Sequence, residues 1–231
     1  MCKKSLFRLF CFGFAAVLSL FPATTHAQAA DKRAIAVMEL FTSTGCPACP
    51  AADDLARQID ERYADVLVLS CHVTFFDRRI QGPKISQKFC DGRQKQYHKA
   101  KIVKQTYTPQ VVINGQYSGV GSRRADVITA LRNGGPLPVI GVMKRGDTLD
   151  IDLPAIAAPG SADLWLVEYT PRQSDPAVRG TVNVITSITK IMSWNGARLK
   201  TAVPISDPGK SHAVLVQNAM TQEIIAAGKA R

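Results

Sequence analysis

The sequence predicts an α/β domain followed by a smaller β-rich, sandwich-like domain. Three observations predict it. Strand and helix signals alternate up to about Gly135. A Cys-Pro-Ala-Cys motif stands directly behind the first apolar run of that part. The remainder has short alternating runs rich in turn formers, and helix signals are scarce there. The 231 residues are 46% hydrophobic, enough for one large domain or a domain and a half with a real core. Nothing is low-complexity, which excludes the disordered class.

Residues 1–27 are expected to lie outside the fold. Lys3, Lys4 and Arg8 precede an almost wholly apolar run, Leu6–Phe21, and small residues follow around Ala27. That is the layout of a secretory signal peptide. The apolar run is short for a bilayer span, and no later segment is long and apolar enough to be one. The expectation is a bacterial periplasmic or secreted protein with no integral membrane segment after signal removal. Residues 1–27 carry three basic residues and no acid, so their loss lowers the formal net charge from +11 to +8. It also removes Cys2 and Cys11 and leaves Cys46, Cys49, Cys71 and Cys90, an even number as pairing requires.

In chain order, "AIAVMELF" (34–41) has strand length and is bounded by Lys-Arg and Thr-Ser-Thr-Gly. Residues 50–63 read as a helix, with Leu55, Ile59 and Tyr63 four apart and Asp53 and Asp54 enriching the first turns. "VLVLSCHV" (66–73) is a second buried strand, which makes a parallel crossover unit. Residues 84–105 read as one or two helices, broken or kinked near Asp91-Gly92. "TYTPQVVINGQYSGVG" gives a hairpin turning at Asn114-Gly115. Ser122 is the expected cap of the helix "RRADVITALRN", which stops at Gly134-Gly135. This order matches a thioredoxin-like domain over 31–135. A β-rich domain over 138–231 follows, with strands expected at Val182–Met192, Leu199–Val203 and Ala213–Gln217.

Placement gives the motif its chemistry. Cys46 lies just beyond a strand and Cys49 at a helix start, where free N–H groups and the helix dipole favour a thiolate. The expected activity is thiol–disulfide exchange with protein thiols, Cys46 reacting and Cys49 resolving, with no diffusible cofactor. Glu39 is the one charge inside the apolar strand and is assigned proton relay to the second cysteine. Thr108-Pro109, ahead of the hairpin, is expected to be cis and to face the dithiol. His72 and Asp77 are candidates to assist proton transfer. Cys71 and Cys90 are either a structural disulfide or a second redox pair. Two other readings stay open: a non-catalytic binding module whose Cys46–Cys49 bond is permanent, and a zinc or copper carrier using Cys46, Cys49 and His72. Residues 78–104 carry nine Lys/Arg against the single acid Asp91, which reads first as a plain solvated helix face and otherwise as a positive surface that lowers a nearby cysteine pKa or attracts acidic partners. Nucleic acid is not an expected partner, since aromatics are not interleaved with these charges and no recognition motif is present.

The segments "MELFTSTGCPACPAADDL", "CHVTFFD" and "TYTPQVVINGQYSGVG" resemble the secreted bacterial family called domain of unknown function 1223. "NVITSITKIMSWNG" and "AVLVQ" carry the likeness more loosely into the tail. The resemblance implies a thioredoxin-like fold with a β-rich C-terminal part and names no substrate. It marks Cys46, Cys49, His72, Asp77, Thr108, Pro109 and Gln110. Cys71 and Phe76 stand where the family usually has Phe and Trp, and Cys90 is peculiar to this branch. Glu39 precedes Cys46 by seven residues, one more than the acid of ordinary thioredoxins.

Overall fold

The computed structural model describes residues 35–82, 84–157, 160–172 and 180–231. The signal-peptide assignment falls on residues 1–27, outside the described residues. The first half runs β1 (Ala36–Thr42), α1 (Pro50–Arg62), β2 (Val66–His72), a short 3-10 turn (Asp77–Arg79), α2 (Lys88–Lys99), β3 (Gln110–Ile113), β4 (Tyr117–Val120) and α3 (Arg124–Asn133). The second half adds β5 (Gly141–Arg145), β6 (Thr148–Leu153), β7 (Ala162–Arg172), β8 (Val182–Trp194), β9 (Leu199–Pro204), β10 (Ser211–Asn218) and β11 (Ile224–Lys229).

The protein is mixed α/β. One large mixed sheet has the order β11-β10-β7-β8-β2-β1-β3-β4, and β5-β6-β9 form a separate antiparallel sheet. β1 and β2 are parallel, with Thr42 beside His72, because a helix connects them. β3 runs antiparallel to β1, and β3 and β4 form the expected hairpin. Its turn follows from Asn114 and Gly115, whose φ values of 50° and 63° are the left-handed pair such a turn requires.

The central strands are buried on both faces, which explains why β2 is a continuous apolar run rather than an alternating one. On one face Met38, Leu40, Val68 and Val111 pack against Leu55 and Ile59 of α1 and Val127 of α3. On the other, Val37, Phe41, Leu67 and Leu69 pack against Tyr97 of α2 and against Val167, Ile185 and Leu215 of the tail strands. A further cluster joins β5, β6 and β9 to the outer strands through Leu149, Ile151, Leu164 and Val214.

Three expectations change here. The tail strands β8, β7, β10 and β11 extend the sheet begun by β1–β4, and the described residues form one compact unit. The joint at Pro136-Leu137-Pro138 is therefore tied to the rest of the fold, with Leu137 bridging Ile35 and Val139 bridging Ala227, and is not a break between domains. β2 has an edge left open by the first half, and β8 takes it beside Ser70. Second, α2 runs unbroken through Asp91-Gly92. A helical glycine costs about 1 kcal/mol, and α2 has several tertiary anchors to offset it. Among them, the Asp91 carboxylate accepts from Thr74 N–H (2.9 Å) and Thr74 Oγ1 (2.6 Å). Third, α3 is capped at Arg123, with no side-chain cap bond, rather than at Ser122.

Candidate functional site

β1 ends at Thr42, and the chain turns sharply to bring Cys46 N–H onto the carbonyl of Ser43 (3.1 Å). Cys49 is the N-cap of α1 and Pro50 its first residue, where a missing N–H costs nothing. The Cys49 carbonyl accepts from Ala52 N–H and Asp53 N–H at 2.9 and 3.0 Å. Cys46 and Cys49 form a disulfide across this turn, with Cα atoms 5.4 Å apart. Cys46 is the more accessible of the two at 4% against 0%, and Pro47 and Ala48 between them are exposed.

The Thr108–Pro109 bond is cis, and the Thr108 carbonyl oxygen lies 3.9 Å from Cys46 Sγ. α2 holds the loop ahead of that proline. Gln94 Nε2 donates to the Tyr107 carbonyl (2.8 Å) and to Gln110 Oε1 (2.7 Å), while Gln110 Nε2 donates to the Gln105 carbonyl (3.1 Å). Gln110, marked by the family resemblance, thus shapes the loop from behind.

Glu39 is not where proton relay to Cys49 needs it. Its neighbours Val37 and Phe41 pack on the α2 face of the sheet, while Met38 and Leu40 pack under α1. Strand alternation therefore turns Glu39 away from the helix that carries Cys49. Its carboxylate accepts from Arg93 Nε and Tyr97 Oη and from Arg93 Nη2 at 3.0 Å. Arg93 Nη1 also donates to Gln217 Oε1 (3.2 Å), and Gln217 Nε2 donates to Tyr97 Oη (3.2 Å). All four residues are buried. Burial opposes the charge on Arg93, but Glu39 and Tyr97 outweigh it and hold the guanidinium charged. Burial keeps the Tyr97 phenol protonated.

The buried acid on the helix that begins at the dithiol is Asp53, which the sequence places only as a first-turn acid. It lies four residues after Cys49, the spacing that stacks side chains on one helix face, and that spacing was the available signal. Asp53 is 5% exposed, and its Oδ1 accepts from Thr42 Oγ1 (2.8 Å). Burial raises its pKa from 3.8 to about 6, against the opposing pull of Thr42.

His72 sits beside Thr42 in the parallel ladder and, opposite in facing to Cys71, points to the α1 side. It is buried, and among the described residues neither ring nitrogen has a hydrogen-bond partner. Burial lowers its pKa from 6.5 to about 4. Thr44 Oγ1, Asp77 Oδ1 and Thr108 Oγ1 are also buried without partners among the described residues. Such groups are rare in native proteins; these three and His72 fall on segments that meet at the dithiol, while Ser70, Thr181 and His212 carry further ones.

These two shifts have opposite signs. Asp53 contributes stability that is full below about pH 4 and is lost as pH rises through about 6. His72 contributes stability that is full above pH 6.5 and is lost as pH falls toward 4. Each is worth about 3 kcal/mol at the extreme, so the pair nearly cancels across this range. Asp53→Asn is expected to raise stability at pH 7 and to steepen its loss on acidification. His72→Gln is expected to make stability rise as pH falls from 6.5 to 4. Urea midpoints of the three proteins across this range check this, and parallel pH profiles would refute it.

Cys71 and Cys90 form a second disulfide, Cα atoms 5.4 Å apart, between β2 and α2. Both are fully buried on the face opposite α1. The bridge closes a separation of 19 residues, so replacing both cysteines by Ala should cost about 3 kcal/mol. The denaturant midpoint checks this. For the metal-carrier alternative, no group of three or more His, Cys, Asp or Glu suited to holding an ion is gathered among the described residues.

The described residues thus define a mixed α/β protein with a Cys-x-x-Cys disulfide at a helix start, facing a cis-proline loop. The chain belongs to the family described as protein of unknown function (DUF1223), whose profile matches residues 37–217. It is similar to an Agrobacterium tumefaciens protein solved by X-ray crystallography, with 28% identity and a TM-score of 0.75, over 85% of this chain and 94% of that one. HBP35 of Porphyromonas gingivalis is similar in fold, with 15% identity and a TM-score of 0.58, over 85% of this chain and 74% of that one. No curated protein matches the chain.

Proposed function

We propose that this chain is an exported thiol–disulfide oxidoreductase of thioredoxin-like architecture, acting on protein thiols and disulfides through Cys46 and Cys49. The observation that carries the proposal is the placement of this disulfide at the start of α1, with Cys46 Sγ 3.9 Å from the carbonyl that precedes cis-Pro109. The leader-like residues 1–27 and the two disulfides support an oxidising compartment, the periplasm or the outside. The thioredoxin-like part, 31–135, supplies the chemistry. The β-rich part, 138–231, broadens the sheet that holds it.

From the oxidised state, a substrate thiolate attacks Cys46 Sγ and Cys49 leaves as a thiolate. A second substrate thiolate then attacks the substrate sulfur of the mixed disulfide and releases Cys46. Two electrons pass to the protein, and its two sulfurs take up the two protons that the substrate thiols release. The helix N-terminus stabilises the thiolates. Asp53 exchanges a proton with Cys49, the role expected of Glu39 from sequence. Reversal of every step gives disulfide reduction or, with a misbridged substrate, isomerisation.

Cys49→Ser removes the resolving thiol, so a mixed disulfide on Cys46 should accumulate with a protein or peptide disulfide. Intact-mass spectrometry without reductant would show the adduct. Its absence would count against the proposal. The low exposure of Cys46 favours a second reading, a non-catalytic module in which Cys46–Cys49 is a permanent bond.

A further inference from the structure

Beside the dithiol lies a surface that thiol exchange with a small molecule does not need. The loop after β2 is pressed against the residue before Cys46. A Cβ added at Gly45 would stand 2.8 Å from the Phe76 carbonyl oxygen and 3.1 Å from Ile80 Cγ1. From this loop Phe75 projects into solvent with 82% of its surface exposed. Among the described residues, only Met220 is a large apolar side chain equally exposed. The Phe75 ring sets its edge against Phe76 (centroids 4.9 Å apart), and the Arg79 guanidinium lies 5.1 Å from the Phe76 centroid. Exposed Pro47 and Ala48 continue the apolar strip across the dithiol turn.

The strip is framed by uncompensated positive charge. Of the nine Lys/Arg in residues 78–104, Arg93 is buried on Glu39 and the other eight are exposed. None of those eight makes an ion pair among the described residues, whereas Arg57, Arg145 and Arg198 elsewhere on the surface each do. The only acid in the segment, Asp91, is occupied by Thr74. Arg78 and Arg79 flank the strip on the Phe75 side. Lys101 and Lys104 lie in the segment that leads from α2 to Thr108.

We infer that this surface docks an extended segment of an acidic protein substrate, with an apolar side chain seated on Phe75 near the substrate cysteines. The inference rests on the thiol-exchange reading and names its substrate class. An exposed aromatic supplies a rigid anchor, and the positive rim steers and orients an anionic partner. A polypeptide is the occupant because the anchor adjoins a sulfur–sulfur bond and the Thr108 carbonyl beside it, and a lipid or nucleic acid has no thiol to exchange there. The same positive field favours thiolates at the dithiol.

The test uses the oxidised protein and two dithiol peptides that share one core, Cys and Cys flanking a Leu. One peptide carries Glu and Asp flanks, the other Lys flanks. Dithiothreitol serves as an uncharged probe of the exchange chemistry itself. The acidic peptide is expected to react at least about tenfold faster than the basic one at low salt. That preference should collapse near 0.5 M salt, where about 4–5 Å of screening length remains. The pair Arg78→Glu, Arg79→Glu should bring the acidic-to-basic rate ratio to one or below, whereas Phe75→Ala, which removes the seat of the Leu common to both peptides, should slow both peptides while leaving the rate with dithiothreitol unchanged. Equal rates for the two peptides, a charge reversal that leaves the ratio unchanged, or a Phe75→Ala protein that reacts with both peptides as fast as the parent protein would overturn the docking surface. So would stronger capture of the protein by vesicles one-third anionic lipid than by the acidic peptide, with both losses caused by the same variants. Failure of dithiothreitol to open Cys46–Cys49 at all would instead overturn thiol exchange.

Discussion

Glu39→Ala is expected to destabilise the protein by about 3–5 kcal/mol, the largest stability loss of any single substitution considered. The cause is the charge left behind. Arg93 is 5% exposed, and among the described residues Glu39 is its only anionic partner. Removing Glu39 strands a buried guanidinium with Gln217 and Tyr97 as its remaining acceptors. Paired replacement should behave differently. Glu39→Leu with Arg93→Leu removes both charges, and Tyr97 keeps its bond from Gln217 Nε2. A buried ion pair exchanged for apolar groups is often neutral or stabilising. The double variant should therefore be more stable than Glu39→Ala by several kcal/mol, roughly the cost of the stranded charge. Urea unfolding of both variants measures this. A double variant as unstable as the single one would mean that the network does more than compensate Arg93. Exchange activity per folded molecule is expected to survive, because the network lies on the face opposite Cys49.

Cys46→Ser is expected to have the largest effect on activity, reducing thiol exchange to the uncatalysed background. A serine hydroxyl at neutral pH is neither ionised nor able to form the mixed disulfide. Stability should fall by less than on loss of the second bridge, since Cys46 and Cys49 are only three residues apart in sequence and their bond removes about 2 kcal/mol of chain entropy against about 3. Replacing Cys71 and Cys90 should show the converse pattern, about 3 kcal/mol less stable with exchange retained. The crossed pattern separates a working dithiol from a structural bridge. It is read by following turnover of a peptide disulfide alongside the denaturant midpoint.

The order of elements through α3 was legible because each has a local cause. Apolar runs of strand length, Pro50 at a helix start and Asn114-Gly115 at a hairpin all act within a few residues. So was the dithiol, since its placement depends only on β1 and α1. What could not be read depends on distant partners. The facing of Glu39 is set by Arg93, 54 residues later, and by the strand alternation around it. The continuity of α2 rests on Thr74 and on the bridge to Cys71. The insertion of β8 beside β2 joins residues more than a hundred positions apart, and no periodicity in either strand announces it. Asp53 was visible as an acid, but its burial follows from how closely α1 packs on the sheet.

The most direct test of thiol exchange is the reduction potential of the Cys46–Cys49 pair. The purified mature protein would be equilibrated in glutathione buffers, and free thiols would be counted by alkylation and mass spectrometry. A value between about −120 and −270 mV is predicted, the range of exchange catalysts. A value below about −300 mV would mark an inert structural bond and contradict it.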